Sequence, residues 1–251
     1  MNALLRILSL PACLLSSVPG LRPVVRALSS SVGQKFLMAV SGLSLVAFLV
    51  VHLAGNLQLY AGEAVFNAYA EKLHSLGPLL VAAEIGLFGT FALHIGLALS
   101  TASMNRLARN NSYAMKQTKQ GLFVLPAGGA SSWMMVTGVL VGIFLVVHII
   151  DMKLKKGFDV DYSAAMVDGV PANEYQAVKA VLSHPVHAAI YVVCLIALGI
   201  HLSHGVRSSF QTLGLNHRNW NFVFRTVGIT AAWLIAGGFI SLVVWALGFQ
   251  S

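Results

Sequence analysis

Five stretches of about 20 apolar residues, each almost free of charge, constrain this chain more than any other feature. A helix rising 1.5 Å per residue needs about that length to cross a hydrocarbon core about 30 Å thick. The stretches lie near Phe36–Tyr60, Leu79–Thr101, Ser132–Ile150, Pro185–Val206 and Thr226–Phe249. They predict an all-α integral membrane protein with five transmembrane helices. Of 251 residues, 57% are hydrophobic and 10% charged, against roughly 25% charged in soluble domains, which excludes an ordinary soluble enzyme. A net charge of +8 in so apolar a chain belongs in loops facing anionic lipid and cytoplasm, not against nucleic acid. Cys13 and Cys194 stand in unrelated apolar contexts without metal-ligand spacing, so neither a disulfide framework nor a thiolate metal site is encoded. No internal repeat and no separate soluble domain is expected.

Loop charges orient the bundle, because Lys and Arg are retained on the cytoplasmic side. The N-terminal segment carries Arg6, Arg22, Arg26 and Lys35, the second loop Arg106, Arg109, Lys116 and Lys119, and the fourth Arg207, Arg218 and Arg225, all without an acid. The first loop carries Glu63 and Glu71 against Lys72. The third carries Asp151, Asp159, Asp161, Asp168 and Glu174 against Lys153, Lys155, Lys156 and Lys179. The expected topology is N-terminus inside, C-terminus outside. Residues 1–32 imitate a signal peptide in Arg6 and the apolar Ile7–Val18, but Pro11, Pro19 and Pro23 interrupt the run. They are read as a cytoplasmic, interfacial segment ahead of a membrane domain spanning 33–251.

Ionisable residues within membrane spans are uncommon and mark function. His52, His94, His148 and His201 fall one in each of the first four spans. With the topology above, His52 and His148 lie at one depth towards the outside, and His94 and His201 at another towards the inside. Each pair sits roughly 6–10 Å from the midplane. Two ligands at one depth, on two helices, are what a six-coordinate haem iron requires, and bundles build cofactor sites from facing helices. The first four helices are therefore expected to form a bundle holding two b haems, with the four histidines as axial ligands. Gly86 and Thr90 share the face of His94, and Gly138 is placed near the face of His148. A single histidine would more simply hydrogen-bond across helices; four in depth-matched pairs would not. Periodicity does not separate His201 from His204. His74, His184, His187 and His217 lie at or beyond span ends, where a solvated or interfacial role is expected.

The chain resembles the cytochrome b membrane-anchor subunit of succinate dehydrogenase and fumarate reductase, in the branch where one five-span polypeptide carries both haems. The resemblance runs from about Ser30 to the end. It rests on Ser30–Lys35, His52–Leu57, Phe66–His74, Val146–Asp151 and the run His201–Gly214. It implies His201 rather than His204 as the fourth ligand, thirteen residues before Gly214. It implies a proximal haem on His94 and His201 and a distal one on His52 and His148. It further implies flavoprotein and iron–sulfur subunits docked on the cytoplasmic face of a bacterial inner membrane, a quinone site, and a place in a larger oligomer. The third loop, Lys153–Ser183, is longer than the family pattern and is assigned no role.

Quinone chemistry moves protons with electrons and calls for an ionisable group near a haem. Glu84, the one carboxylate inside a span, is the first candidate, and His74 the second, with Glu71 and His187 weaker. Menaquinone is favoured over ubiquinone by the family analogy alone. The reading is a succinate:quinone oxidoreductase anchor that reacts with quinone but not dicarboxylate, with fumarate reduction by the reverse reaction as its alternative. A dihaem cytochrome anchoring another oxidoreductase would distribute its histidines differently. A proton-coupled transporter would show broken helices or inverted repeats.

Overall fold

In lipid every backbone N–H and C=O must be satisfied within the segment, so long apolar runs become helices. The computed structural model describes residues 22–107, 130–167, 170, 171, 173–215, 217 and 219–248. Arg6, Arg109, Lys116, Lys119, Asp168 and Arg218 lie outside the described residues, as does Cys13. Helix α1 (Arg22–Ser29) precedes α2 (Ser31–Asn56), which continues as a 3₁₀ turn over Leu57–Ala61. After α3 (Glu63–His74) come α4 (Pro78–Leu107) and α5 (Ala130–His148), whose end opens into a π-helical turn at Ile149–Lys153. The rest is α6 (Glu174–Ser183), α7 (Pro185–Thr212) and α8 (Asn221–Gly248). A two-residue ladder pairs β1 (Met166–Val167) with β2 (Val170–Pro171).

Among the described residues five helices are long and apolar enough to cross a membrane, over Ser31–Ala61, Pro78–Leu107, Trp133–Lys153, Pro185–Thr212 and Asn221–Gly248. All five expected spans are present, several with longer ends. The first begins at Ser31 because the Ser30 hydroxyl accepts the Gly33 N–H at 3.0 Å, a cap that hydropathy does not register. The fourth runs on through polar residues to Thr212, where Leu213 caps it ahead of Gly214 at φ 83°, and the second is helical as far as Leu107, the last described residue before 130.

The first span packs on the second and fourth, the third packs on the fourth, and no comparable packing joins the second to the third. The cyclic order is thus first, second, third, fourth, open between second and third. The fifth span lies outside this ring, mainly on the fourth, where Gly199 admits the Trp233 ring and Gly228 admits Val206. A cap of α3, α6 and the loop between the third span and α6 covers one end. There Asn67 donates to Asn173 at 3.0 Å, Gln176 to Glu63 at 2.7 Å, and Lys155 to Glu174 at 2.7 Å. The long third loop, given no role above, is the larger part of this cap.

Candidate functional site

Helices that are diagonal in a four-helix ring do not pack backbone to backbone, so their long side chains meet inside it. The first and third spans are one diagonal, and the second and fourth the other. His52 and His148 occupy the first diagonal, with ring centroids 5.9 Å apart and planes at 89°. Phe48 stacks on His52 at 5.2 Å, Phe239 lies 5.6 Å from it, and Phe144 lies 5.7 Å from His148. Asn56 approaches the His52 ring at 3.5 Å, and the Tyr191 hydroxyl lies 3.4 Å from His148 Nδ1. His94 and His201 occupy the second diagonal within Coulombic range of each other.

This second pair is held by a device repeated in the other two spans. Ser41 Oγ lies 3.1 Å from His94 Nδ1, and Thr137 Oγ1 lies 3.3 Å from His201 Nδ1. The next residues are glycines, and a Cβ would stand 3.1 Å from His94 Cε1 at Gly42 and 3.4 Å from His201 Cε1 at Gly138. The segments Met38–His52 and Met134–His148 match at eight of fifteen positions: Met38, Val40, Gly42, Phe48, Leu49, Val50, Val51 and His52 recur 96 residues later. The expectation of no internal repeat is corrected. The repeat is hidden from composition because its functional parts are one hydroxyl, one glycine and one histidine in an apolar run. Gly138 is corrected as well, since ten residues put it about 15 Å from His148 along the helix, at the level of His201. The same rise sets the two histidine layers about 15 Å apart. Pro78 and Pro185 each begin a helix sixteen residues before its histidine, which gives His94 and His201 equal depth.

The hydroxyl hydrogen bonds are best satisfied by one tautomer of each ring. The Ser41 hydroxyl donates to the Met38 carbonyl at 3.2 Å and that of Thr137 to the Trp133 carbonyl at 2.9 Å. Each hydroxyl oxygen is left to accept from an Nδ1–H, which leaves the Nε2 lone pairs of His94 and His201 free. That is the form of imidazole that binds a metal, oriented by its other nitrogen. Of the two histidines on the fourth span, His201 meets Thr137 and Gly138, whereas His204 lies beside Arg207.

The other candidates separate. Glu84 forms an ion pair with Lys153 of the π-helical turn, across the open side between second and third spans. His74 ends α3 with an exposed side chain, and among the described residues no hydrogen bond or ion pair joins it to Glu84 or to His52 and His148. Glu71 is exposed on α3. His217 is exposed and accepts the Asn219 N–H at 3.3 Å. His184 is half-buried, 3.9 Å from Asp159.

His187 departs most from expectation, being wholly buried instead of interfacial. Asp151, read as a loop acid, is 1% exposed. The two face each other, His187 Nδ1 at 2.9 Å from Asp151 Oδ2 and His187 Nε2 at 2.8 Å from the Phe158 carbonyl. Tyr162 donates to the Asp151 carbonyl at 2.9 Å and accepts the Gly157 N–H at 3.2 Å. Burial pushes the Tyr162 phenol above its ordinary range, which keeps it a donor. Position at a helix end suggested solvent, but the cap folds over that end.

No protein-family model, no curated protein and no solved structure matches the chain. The five helices among the described residues that are long and apolar enough to cross a membrane mark it as a multi-pass, helical membrane protein.

Proposed function

We propose that this chain is a dihaem cytochrome b, the membrane anchor of a succinate:quinone oxidoreductase, passing electrons between an iron–sulfur partner and a membrane quinone. The observation that carries the reading is the placement of four histidines on the two diagonals of one bundle, in two layers. A metal bonded to two imidazole nitrogens at about 2 Å each puts the ring centroids about 6 Å apart, and those of His52 and His148 are 5.9 Å apart. The bare Nε2 atoms of His94 and His201 and the glycines against their rings fit the same use. Nothing lies within 4 Å of a Cβ built at Gly86 or Gly142, so these helices leave open space at those positions. Haem iron would supply one-electron carriage at each layer. The protein orients the imidazoles and excludes water.

All acids among the described residues lie at the capped end, and Lys35, Arg106, Arg207 and Arg225 lie at the other. By the positive-inside rule the uncapped end faces the cytoplasm of a bacterial inner membrane, with the flavoprotein and iron–sulfur partners docked there. Glu84, beside the open side at the depth of His52 and His148, is the proton-exchanging group for quinone, and menaquinone is the preferred substrate. His74, on the cap surface, is the weaker choice.

The test is a reduced-minus-oxidised spectrum with haem quantitation on the purified full chain. Two b haems per chain is the expected result, and a colourless preparation overturns the reading. Glu84→Gln should keep both haems and slow quinone turnover; unchanged turnover removes Glu84 from the scheme.

A further inference from the structure

We propose that Lys153 binds the quinone head group at the open side between the second and third spans, donating its N–H groups to a ring carbonyl oxygen. This rests on the reading of the chain as a quinone-reactive cytochrome, and it adds a binding cation to the proton-exchanging Glu84. The repeat singles out the open side. The first and third spans repeat 96 residues apart, and His94 and His201, at equal depth, relate the second span to the fourth by 107 residues. Packing of the first span on the second then corresponds to packing of the third on the fourth, and both are made. Packing of the first on the fourth corresponds to packing of the third on the second, and only the former is close. The position 96 residues before Lys153 is Leu57, and that 107 residues after Glu84 is Tyr191. The closed side has neither charge at these positions, and the open side has both, joined as an ion pair.

The backbone differs at the same place. On the first span the Leu57 N–H reaches the Leu53 carbonyl, four residues back, as in an α-helix. On the third, the corresponding carbonyl of Ile149 receives the N–H of Leu154, five residues ahead, at 3.0 Å. This is the π-helical turn, and single π turns inside α-helices are frequent at functional sites. In unbroken α-helix Lys153 would lie about 140° around the axis from His148; a turn closed over five residues returns it towards the face of His148. A lysine at the end of a span ordinarily turns its ammonium out to the interface. That of Lys153 instead meets Glu84, which lies six residues, about 9 Å, inside the start of the second span. Both side chains are partly exposed on the open side, and charges at such depth are costly and functional by default.

A quinone head group presents two carbonyl oxygens, and its reduction to the quinol adds two electrons and two protons. The electrons come from the iron–sulfur partner. The protons pass one at a time through the Glu84 carboxyl group, which is reloaded from water at the capped end. Lys153 keeps its own proton and donates to the oxygen on which negative charge gathers, a charge-assisted bond stronger than a neutral one. Opening of the ion pair admits the head group between the two side chains, while its apolar tail stays in lipid.

The experiment photolabels the full chain in detergent with an azido-naphthoquinone. Peptide mass reads the labelled residues and their yield, beside haem content and the rate of haem reoxidation by menadione. The expected labels fall on the second and third spans near Glu84 and Lys153. Lys153→Met should cut the yield, and raise the KM for menadione, about tenfold, as for the loss of one hydrogen bond from a charged donor, with haem content held. Lys153→Arg should restore most of the yield. Glu84→Gln breaks the ion pair but leaves the ammonium, so it should keep the yield while slowing reoxidation. Equal losses of label in Lys153→Met and Glu84→Gln would make the pair a latch between spans and overturn the proposal. An undiminished yield in Lys153→Met, or labels of the parent chain elsewhere, would overturn it as well. A parent chain without haem refutes the cytochrome reading instead, and the labelling, which needs no haem, then decides the role of Lys153 by itself.

Discussion

Replacing Gly42 with Ala, and Gly138 with Ala in parallel, separates a metal-tied imidazole from one that merely packs. Carbon atoms rest at about 3.5–4.0 Å, and a Cβ at Gly42 would stand 3.1 Å from His94 Cε1, about 0.4 Å too close. At Gly138 the same atom would stand 3.4 Å from His201 Cε1, at the edge of ordinary contact. Metal–ligand distances tolerate about 0.2 Å. A bonded His94 cannot move 0.4 Å without loosening its bond, whereas a free ring turns aside. Gly42→Ala should therefore weaken retention of the inner haem about 10–100-fold and leave the outer haem intact. Gly138→Ala should keep both haems, its helix gaining up to about 1 kcal/mol from the better helix former. The assay is haem per chain after dilution and repurification, with low-temperature difference spectra to tell the haems apart. Equal retention by the two variants, or loss of the outer haem in Gly42→Ala, refutes the reasoning.

The buried pair and the cap give two further tests. Asp151→Ala and His187→Ala should each cost about 3–5 kcal/mol, because each strands a buried partner. The double variant should cost less than the two losses together by about 0.5–3 kcal/mol, measured by reversible unfolding in detergent; simple additivity would show that the pair is uncoupled. Gly157→Ala should cost about 1–3 kcal/mol by overpacking, since its Cβ would lie 2.7 Å from both Asp151 Oδ1 and the Tyr162 hydroxyl. A wild-type melting temperature in that variant would mean that the cap yields freely.

The membrane spans were legible because burial in lipid selects whole apolar runs, a property of every residue in the segment. The layering of the histidines was legible because depth follows from a constant rise and an alternating direction. What escaped were features set by contact between elements. Ser41 and Thr137 are single hydroxyls in apolar runs, and their use appears once the second and fourth spans bring His94 and His201 to them. Gly138 was set beside the histidine of its own helix, whereas a glycine serves whichever side chain crosses it. His187 lies at a span end, which suggested an interface, and the burial of its ring depends on where Phe158 and Tyr162 fold back.

The ring of spans carries a consequence for assembly. The first and second spans form one hairpin and the third and fourth another, and each hairpin owns one histidine of each layer. Neither half can furnish two axial ligands at one depth, so a group bridging either layer is also a staple between halves. The two halves otherwise meet mainly where the first span touches the fourth. A chain severed between residues 107 and 133 would in these terms be a two-part lock, its parts rejoining as the bridging group is added and parting as it is withdrawn.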